Sequence, residues 1–156
     1  MSSGKQKRFD GQRWYERQLR KRTREALAER NRIFEQEHRN ATDMELIEVI
    51  RSRAEQLGHI PRSVEVIGAT LICSRFGSWA DALMAAGFSY PRGPKNLTDS
   101  QLYKEEYARQ QEIYRAEKEA KEKEKAIKMM KKTGTKVILV LQPNSSRTAQ
   151  LQSVKA

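Results

Sequence analysis

The apolar positions of residues 10–40 recur at helical spacing within an otherwise charged segment. They are Tyr15, Leu19, Ala26 and Ile33. Steps of four and seven residues place them on one helix face, and Asp10 is positioned to cap the helix. The pattern predicts a basic helix over residues 10–40 that docks through a narrow apolar stripe. Residues 1–9 are small, polar and basic, and are predicted to be disordered.

The next helix is marked by clear start and stop signals. Thr42 and Glu45 form a Thr-x-x-Glu capping box, in which two otherwise unpaired backbone amides are satisfied reciprocally. Gly58 follows the last turn and suits a left-handed helix end. The apolar positions in between are Ile47, Ile50, Ala54 and Leu57. This spacing predicts an amphipathic helix with one buried face.

Two short glycine-punctuated runs follow, and Trp79 lies between them. The first, Ala69–Phe76, predicts a short helix. Ser78 and Asp81 form a second capping box, which opens another short helix with Trp79 on its inner face. We expect Trp79 to be mostly buried, as the large side chain around which the helices of residues 42–88 close. These residues are called the central module below.

A connector and a long helix follow the central module. Residues 89–97, SYPRGPKNL, carry the Pro and Gly of a linker. Thr98 and Gln101 form a third capping box, which predicts a helix over residues 98–132. From Glu117 onward this helix is nearly all charge, and its i,i+4 Glu–Lys pairs stabilise it by only about 0.2–0.5 kcal/mol each. It is predicted to be a solvated helix or, alternatively, an arm that binds a partner.

Residues 133–156 are predicted to be a mostly disordered tail. Within it the run VILVL, residues 137–141, could form a strand or extend the helix, but the sequence shows no second strand to pair with it. It could also add to the sheet edge of a partner. The whole pattern predicts an all-α protein: a small central module with a Trp-centred core, two long charged flanking helices, and disordered termini.

Positive charge is concentrated outside the central module. The chain carries 31 Lys and Arg against 20 Asp and Glu, a net charge of +11. Residues 1–40 hold 12 basic and 6 acidic side chains, whereas residues 41–90 hold 4 and 6, a net charge of −2. A strong positive field favours a polyanionic partner, and here the flanks supply it.

Composition also bears on cellular location. The single cysteine, Cys73, excludes an internal disulfide and fits a reducing compartment. Residues 1–40 contain no continuous apolar segment typical of a signal peptide. The longest aliphatic run is far short of the roughly 20 residues that span a bilayer. These features predict a cytoplasmic protein with no membrane partner, nucleoid-associated if it binds DNA.

The sequence shows no catalytic constellation. His38 and His59 have no His or Cys neighbour at metal-ligand spacing, so no metal site is predicted. Cys73 has no nearby His to activate it, and no glycine-rich phosphate loop or Gly-x-Ser-x-Gly elbow is present. We expect a protein that is not an enzyme, with no cofactor and no small-molecule substrate.

The segment from Leu46 to Phe88 resembles the homing endonuclease associated repeat, a small helical module. The resemblance rests on Leu57-Gly58-x-x-Pro61, on Arg75-Phe76-Gly77-Ser78-Trp79, and on Ala82-Leu83 followed by Ala85-Ala86-Gly87-Phe88. It implies a helical unit that binds DNA in a helix-turn-helix-like manner, as found in nuclease-associated, phage and mobile-element proteins. Only one copy of the repeat is found here, and its net negative charge is unusual for a DNA-contacting surface.

By position, the resemblance makes the helix Ala69–Phe76 the candidate reader of DNA. Its outer face carries side chains suited to phosphates or base edges. The candidate contacts there are Thr70, Ser74 and Arg75. Phosphate contacts are expected from further arginines of the central module and of the N-terminal helix. These are Arg51, Arg53, Arg62, Arg13, Arg17, Arg20 and Arg24.

Three function hypotheses remain open from sequence. The first is a non-enzymatic DNA-binding protein, an accessory or regulatory protein of a phage or mobile element. The second is a protein-binding adaptor or inhibitor whose long helices dock on a larger, nucleic-acid-handling partner. The third is RNA or ribonucleoprotein binding, for which a basic helix serves as well, although RNA readers favour exposed aromatic platforms.

Overall fold

Helices dominate the described part of the chain. The computed structural model describes residues 10–134 in full and, beyond them, only the backbone of residues 137–139 and 151–153. The helices are α1 (Gly11–Glu37), α2 (Asp43–Leu57), α3 (Ala69–Phe76), α4 (Trp79–Ala85) and α5 (Gln101–Thr133). Two 3-10 turns, Ser63–Glu65 and Leu97–Asp99, connect them. The predicted all-α class is confirmed, whereas the predicted disorder of residues 1–9 and of most of the tail lies outside the described residues.

The chain divides into two units, Met1–Gln111 and Glu112–Ala156. The first holds α1 to α4 and the beginning of α5. The second holds the rest of α5 and an antiparallel pair of strands, β1 (Val137–Leu139) and β2 (Leu151–Ser153). The apolar run that seemed to lack a second strand therefore has one within the chain. The sequence Leu-Gln-Ser is too short and too polar for an alternation of apolar and polar residues to predict a strand there.

Of the three predicted capping boxes, the one at Thr42 is complete, and Ser78 caps its helix through its side chain. The Thr42 hydroxyl accepts from the Glu45 amide at 3.3 Å, and a Glu45 carboxylate oxygen accepts from the Thr42 amide at 2.6 Å. The Ser78 hydroxyl accepts from the Asp81 amide at 3.1 Å and donates to its carboxylate at 2.7 Å. Side-chain caps therefore start α2 and α4 where the sequence places them.

The third predicted cap is corrected by the structure. Thr98 lies inside a 3-10 turn, and α5 begins only at Gln101. The cap is Ser100, which is fully buried: its hydroxyl donates to the Leu97 carbonyl at 2.6 Å and accepts from the Tyr103 amide at 3.1 Å. One serine thus closes the 3-10 turn and starts the helix, which the Thr-x-x-Gln spacing could not reveal.

The core of the central module lies between α2, α3 and α4. Its fully buried large side chains are Leu46, Ile50, Ile72 and Leu83. Trp79 is only partly buried and packs on the margin of this cluster, where its indole nitrogen donates to the Pro61 carbonyl at 3.1 Å. The expectation of a Trp-centred core is corrected in this detail, because the polar edge of the ring reaches the Pro61 turn.

The buried stripe of α1 is shifted from the predicted one. The buried residues are Leu19, Thr23 and Leu27, spaced four apart, whereas Ile33 is 41% exposed. Thr23 is accommodated because its hydroxyl donates to the Leu19 carbonyl at 2.7 Å. Because one of the buried residues is polar, the spacing of apolar residues alone did not predict which face of α1 is buried.

Gly68 is a point of close contact between α1 and the central module. Its amide donates to the side-chain oxygen of Asn31 at 2.7 Å, and its φ of +82° lies in the left-handed region. A Cβ at this position would collide with the ring of Phe34, which packs on the module core. Only glycine fits both the backbone conformation and the space.

The beginning of α5 packs against α1. Leu27, Leu102 and Tyr103 form a second buried cluster. Beside it the carboxylate of Glu106, 2% exposed, accepts from Arg30 of α1 at 3.2 Å. Burial raises the pKa of the nearby Tyr107 phenol. These contacts hold α1, the central module and the start of α5 together within the first unit.

Candidate nucleic-acid interface

The guanidinium groups of Arg51 and Arg53 are used within the central module. The Nε of Arg51 donates to the carbonyl of Ala86 at 3.1 Å, at the C-terminal end of α4. The Nε of Arg53 donates to the carbonyl of Glu65 at 2.8 Å. A cation at a helix C-terminus satisfies an otherwise unpaired carbonyl and complements the helix dipole. Both predicted phosphate contacts therefore have structural partners.

Arg62 belongs to a cluster that ties the connector to the central module. Its Nε donates to the carbonyl of Gly93, and its backbone amide donates to the carboxylate of Glu65 at 2.9 Å. The imidazole Nε2 of His59 lies 2.9 Å from the same carboxylate, which is 1% exposed. The segment predicted to be a linker is thus bonded to the Pro61 turn.

Arg75 lies at the end of α3 and also contacts backbone. Its Nη1 donates to the carbonyl of Ala41 at 3.0 Å and lies 3.3 Å from an Asp43 carboxylate oxygen. The arginine side chain remains 34% exposed. Arg75 therefore joins the end of α3 to the start of α2, with part of its guanidinium facing solvent.

The other two residues on the outer face of α3 are exposed. Thr70 and Ser74 both lie at the surface. The Ser74 hydroxyl donates to the Leu71 carbonyl at 2.7 Å, one turn back in the helix. A hydroxyl held in this way still has acceptor capacity for an incoming donor.

The predicted arginines of α1 differ from those of the central module. They are Arg13, Arg17, Arg20 and Arg24, here called the arginine stripe, and all are exposed. Steps of four, three and four residues place them on one side of the helix. Arg13 pairs with Asp10 at 3.2 Å. The other three make no hydrogen bond or ion pair with any residue that the structure describes.

The structure brings one residue of the arginine stripe and one of α3 together at a groove. Arg24 of α1 and Thr70 of α3 both line a groove of about 530 Å³, which also borders Ser63 and Asn31. Cys73 lies in the same groove, where burial raises the pKa of its thiol, so it stays protonated at neutral pH. Residues from two separate predicted regions thus share one surface.

Two buried carboxylates escaped sequence analysis. Glu65 anchors His59 and Arg62, and Glu106 accepts from Arg30, Arg109 and Gln110. For Glu65 a signal exists, since it is the one acidic residue in the apolar run Val64–Ile67. For Glu106 the surrounding helix is so charged that no pattern singles it out.

Two features are absent among the described residues, a cluster of metal ligands and a membrane-spanning helix. Among them, no three His, Cys, Asp or Glu side chains converge as a metal site would require. None of their helices combines the length and hydropathy needed to span a bilayer.

Comparison with known proteins identifies one segment of the chain. No curated protein and no solved structure matches the sequence. A family model does match, and its bounds enclose α2, α3 and α4 with the turns between them. Residues 41–89 match the homing endonuclease associated repeat, so the resemblance carried by the Arg75–Trp79 motif is confirmed for this part of the chain.

Proposed function

We propose that the protein is a non-enzymatic DNA-binding protein, an accessory or regulatory protein of a phage or mobile element. One observation carries the proposal: Arg24 and Thr70 line the same groove. A basic helix outside the repeat is thereby joined to the helix of the repeat that lies in the candidate reading position. The repeat itself is a module associated with homing endonucleases, which act on DNA.

The two helices would divide the work of binding. The arginine stripe supplies side chains whose charge is not already paired, at Arg17, Arg20 and Arg24. At a rise of 1.5 Å per residue it extends for about 16 Å, enough to face several phosphates. Thr70 and Ser74 would contact phosphates or base edges beside it. This division accounts for a repeat with a net charge of −2 acting on a polyanion.

The test compares two double variants of the full chain that remove equal charge from α1. Arg17→Gln with Arg24→Gln alters the stripe. The control, Lys21→Gln with Arg32→Gln, alters side chains that are already paired with glutamates. The pairing of Arg32 is also evident because its hydrogen bond to Glu29 lowers the pKa of that carboxyl. Binding to a short duplex is measured by fluorescence anisotropy over a salt series.

We expect the stripe variant to lose about two units of salt slope and to bind about tenfold more weakly, since each lost phosphate contact removes about 0.9 of slope. The control variant should keep most of both. Equal losses in the two variants would mean that net charge alone matters. Duplex binding that neither variant alters would remove the arginine stripe from the interface.

The adaptor hypothesis keeps a specific observation in its favour. Three large apolar side chains in or next to the repeat are strongly exposed: Met44 by 66%, Met84 by 63% and Tyr90 by 81%. A protein partner would cover such side chains where they lie together in one patch. A pull-down from native lysate, with and without nuclease treatment, separates the hypotheses. Partners lost on nuclease treatment favour DNA binding, and a defined protein retained after it favours an adaptor.

A further inference from the structure

The second half of α5 carries a row of lysines on one face. They are Lys118, Lys121, Lys125, Lys128 and Lys132, here called the lysine stripe. Their steps of three and four residues keep them within a sector of about 80° at 100° per residue. All five are exposed in the structure. At 1.5 Å per residue the row extends for about 21 Å.

The acidic residues of this segment lie outside that sector. They are Glu117, Glu119, Glu122 and Glu124. In the described part of the chain, Lys128 of the stripe forms an ion pair with Glu124 at 2.6 Å. Both side chains are largely exposed, by 73% and 63%, and such surface pairs contribute little stability. An incoming anion can therefore replace Glu124 at small cost.

The opposite side of the helix differs from the lysine stripe. Lys123, Ala126 and Met130 lie there and are partly buried. The lysine stripe is thus a straight row of positive charge, flanked by glutamates, on a helix whose opposite side is partly buried. A row of this kind fits a partner with regularly spaced negative charge.

We propose that the lysine stripe binds the phosphate backbone of duplex DNA, as a second contact surface in the second unit of the chain. Phosphates repeat at short, regular intervals along each strand, which matches an even row of ammonium groups. Lysine makes such contacts as a point charge and imposes no base preference. The stripe therefore adds affinity without sequence specificity.

An anionic membrane fits the same stripe less well. Helices that lie on membranes carry aromatic and leucine side chains beside the basic row. The segment from Arg115 to Thr133 contains neither. Duplex DNA requires only the charges that the stripe presents.

The experiment uses the full chain and two double variants of α5. Lys121→Gln with Lys125→Gln alters the stripe, and Lys123→Gln with Lys131→Gln removes the same charge from other faces of the helix. Lys and Gln have similar helix propensities, and circular dichroism checks that helix content is unchanged. Affinity for a short duplex is followed by fluorescence anisotropy over a salt series. Vesicles of phosphatidylcholine and phosphatidylserine are tested alongside.

The stripe variant should lose about two units of salt slope and bind the duplex about tenfold more weakly, with well under half that loss in the control. Equal losses in both variants, unchanged duplex binding, or a loss confined to vesicles would each overturn the proposal. The inference extends the proposed function but fails separately from it. If only the Arg17 and Arg24 variant loses affinity, the lysine stripe is refuted alone. If only the lysine variant loses affinity, the arginine stripe is refuted.

Discussion

The arginines of the central module and those of α1 are one residue type in two settings. In the module, Arg51, Arg53, Arg62 and Arg75 each donate to a backbone carbonyl. On α1, Arg17, Arg20 and Arg24 make no such bond to any described residue. Counting charge therefore overstates what the module can offer a polyanion and understates the contribution of α1.

The number of helix ends and connections near each arginine contributes to the difference. Every helix leaves its last four carbonyls without a partner inside the helix. The module packs helices of 15, 8 and 7 residues into a small volume, so its unpaired carbonyls are dense, whereas the 27 residues of α1 satisfy most of their own. Of the four acceptor carbonyls, that of Ala86 ends α4 and that of Glu65 ends the 3-10 turn, while those of Ala41 and Gly93 lie in connections between elements. Arginines near these ends and connections donate to backbone carbonyls, whereas those of the arginine stripe on the long helix α1 face solvent, where a partner can reach them.

The largest effect is expected where the two regions meet. Gly68→Ala should destabilise the protein by about 3 kcal/mol, because the new Cβ meets the Phe34 ring and overpacking alone costs about 1–3 kcal/mol. The left-handed φ adds about 1–2 kcal/mol of strain. Urea unfolding followed by circular dichroism measures the loss. DNA affinity should fall with it, since the groove between α1 and α3 is built on this contact.

Gly58→Ala is the matched control for that variant. Its φ of +73° is also left-handed, but a Cβ there meets nothing within 4 Å. Its cost should be the backbone strain alone, about 1–2 kcal/mol. Equal costs at the two glycines would show that α1 does not press on the module through Phe34.

The second effect tests the arginine comparison directly. Arg53→Gln and Arg62→Gln should each lower the free energy of unfolding by about 1–2 kcal/mol, because each removes a hydrogen bond from a charged donor to a partly buried carbonyl. Arg17→Gln and Arg24→Gln should stay within about 0.5 kcal/mol of the parent, as surface substitutions do. Thermal melts of the four single variants provide the measurement.

The reverse pattern would break the comparison. If the α1 variants melted early and the module variants did not, the arginine stripe would be structural. The carbonyl contacts of the module would then contribute nothing measurable. A DNA-binding assay on the same four proteins keeps the two roles apart, because only the α1 variants should change the salt slope.

Helix positions were predictable from sequence where local chemistry decides them. The Thr42 capping box and the Ser78 cap depend only on three or four neighbouring residues, and the structure contains both. The start of α5 was not predictable, because the choice of Ser100 over Thr98 depends on Leu97 packing against a cluster formed with α1. The line of burial along α1 was obscured for a similar reason, since Thr23 is buried by tertiary contacts.

The sequence predicted which residue types form the candidate interface. It did not predict which of these side chains are free of bonds within the described part of the chain and so able to contact DNA. Exposed Thr70 and the α1 arginines follow from helical spacing alone. That the module arginines bond to carbonyls does not, since each acceptor except that of Arg53 lies at least 31 residues away along the chain. The groove shared by Arg24 and Thr70 likewise depends on how α1 docks, which only the fold determines.

The smallest effect concerns Arg75, where the two settings overlap. Its guanidinium donates to the Ala41 carbonyl, yet the side chain is 34% exposed, so Arg75 could contact either the backbone or DNA. We expect Arg75→Gln to cost only about 0.5 kcal/mol of stability, since a surface pair and a partly exposed hydrogen bond contribute little. Duplex affinity should stay within about twofold of the parent, because phosphate contacts from α1 remain. Paired melting and anisotropy measurements on one preparation decide the matter, with Arg75→Lys, which keeps the charge, as the control. A selective loss of about 1–3 kcal/mol in binding, with melting unchanged, would make Arg75 a base-reading residue and would remove it from the set of module arginines committed to the fold.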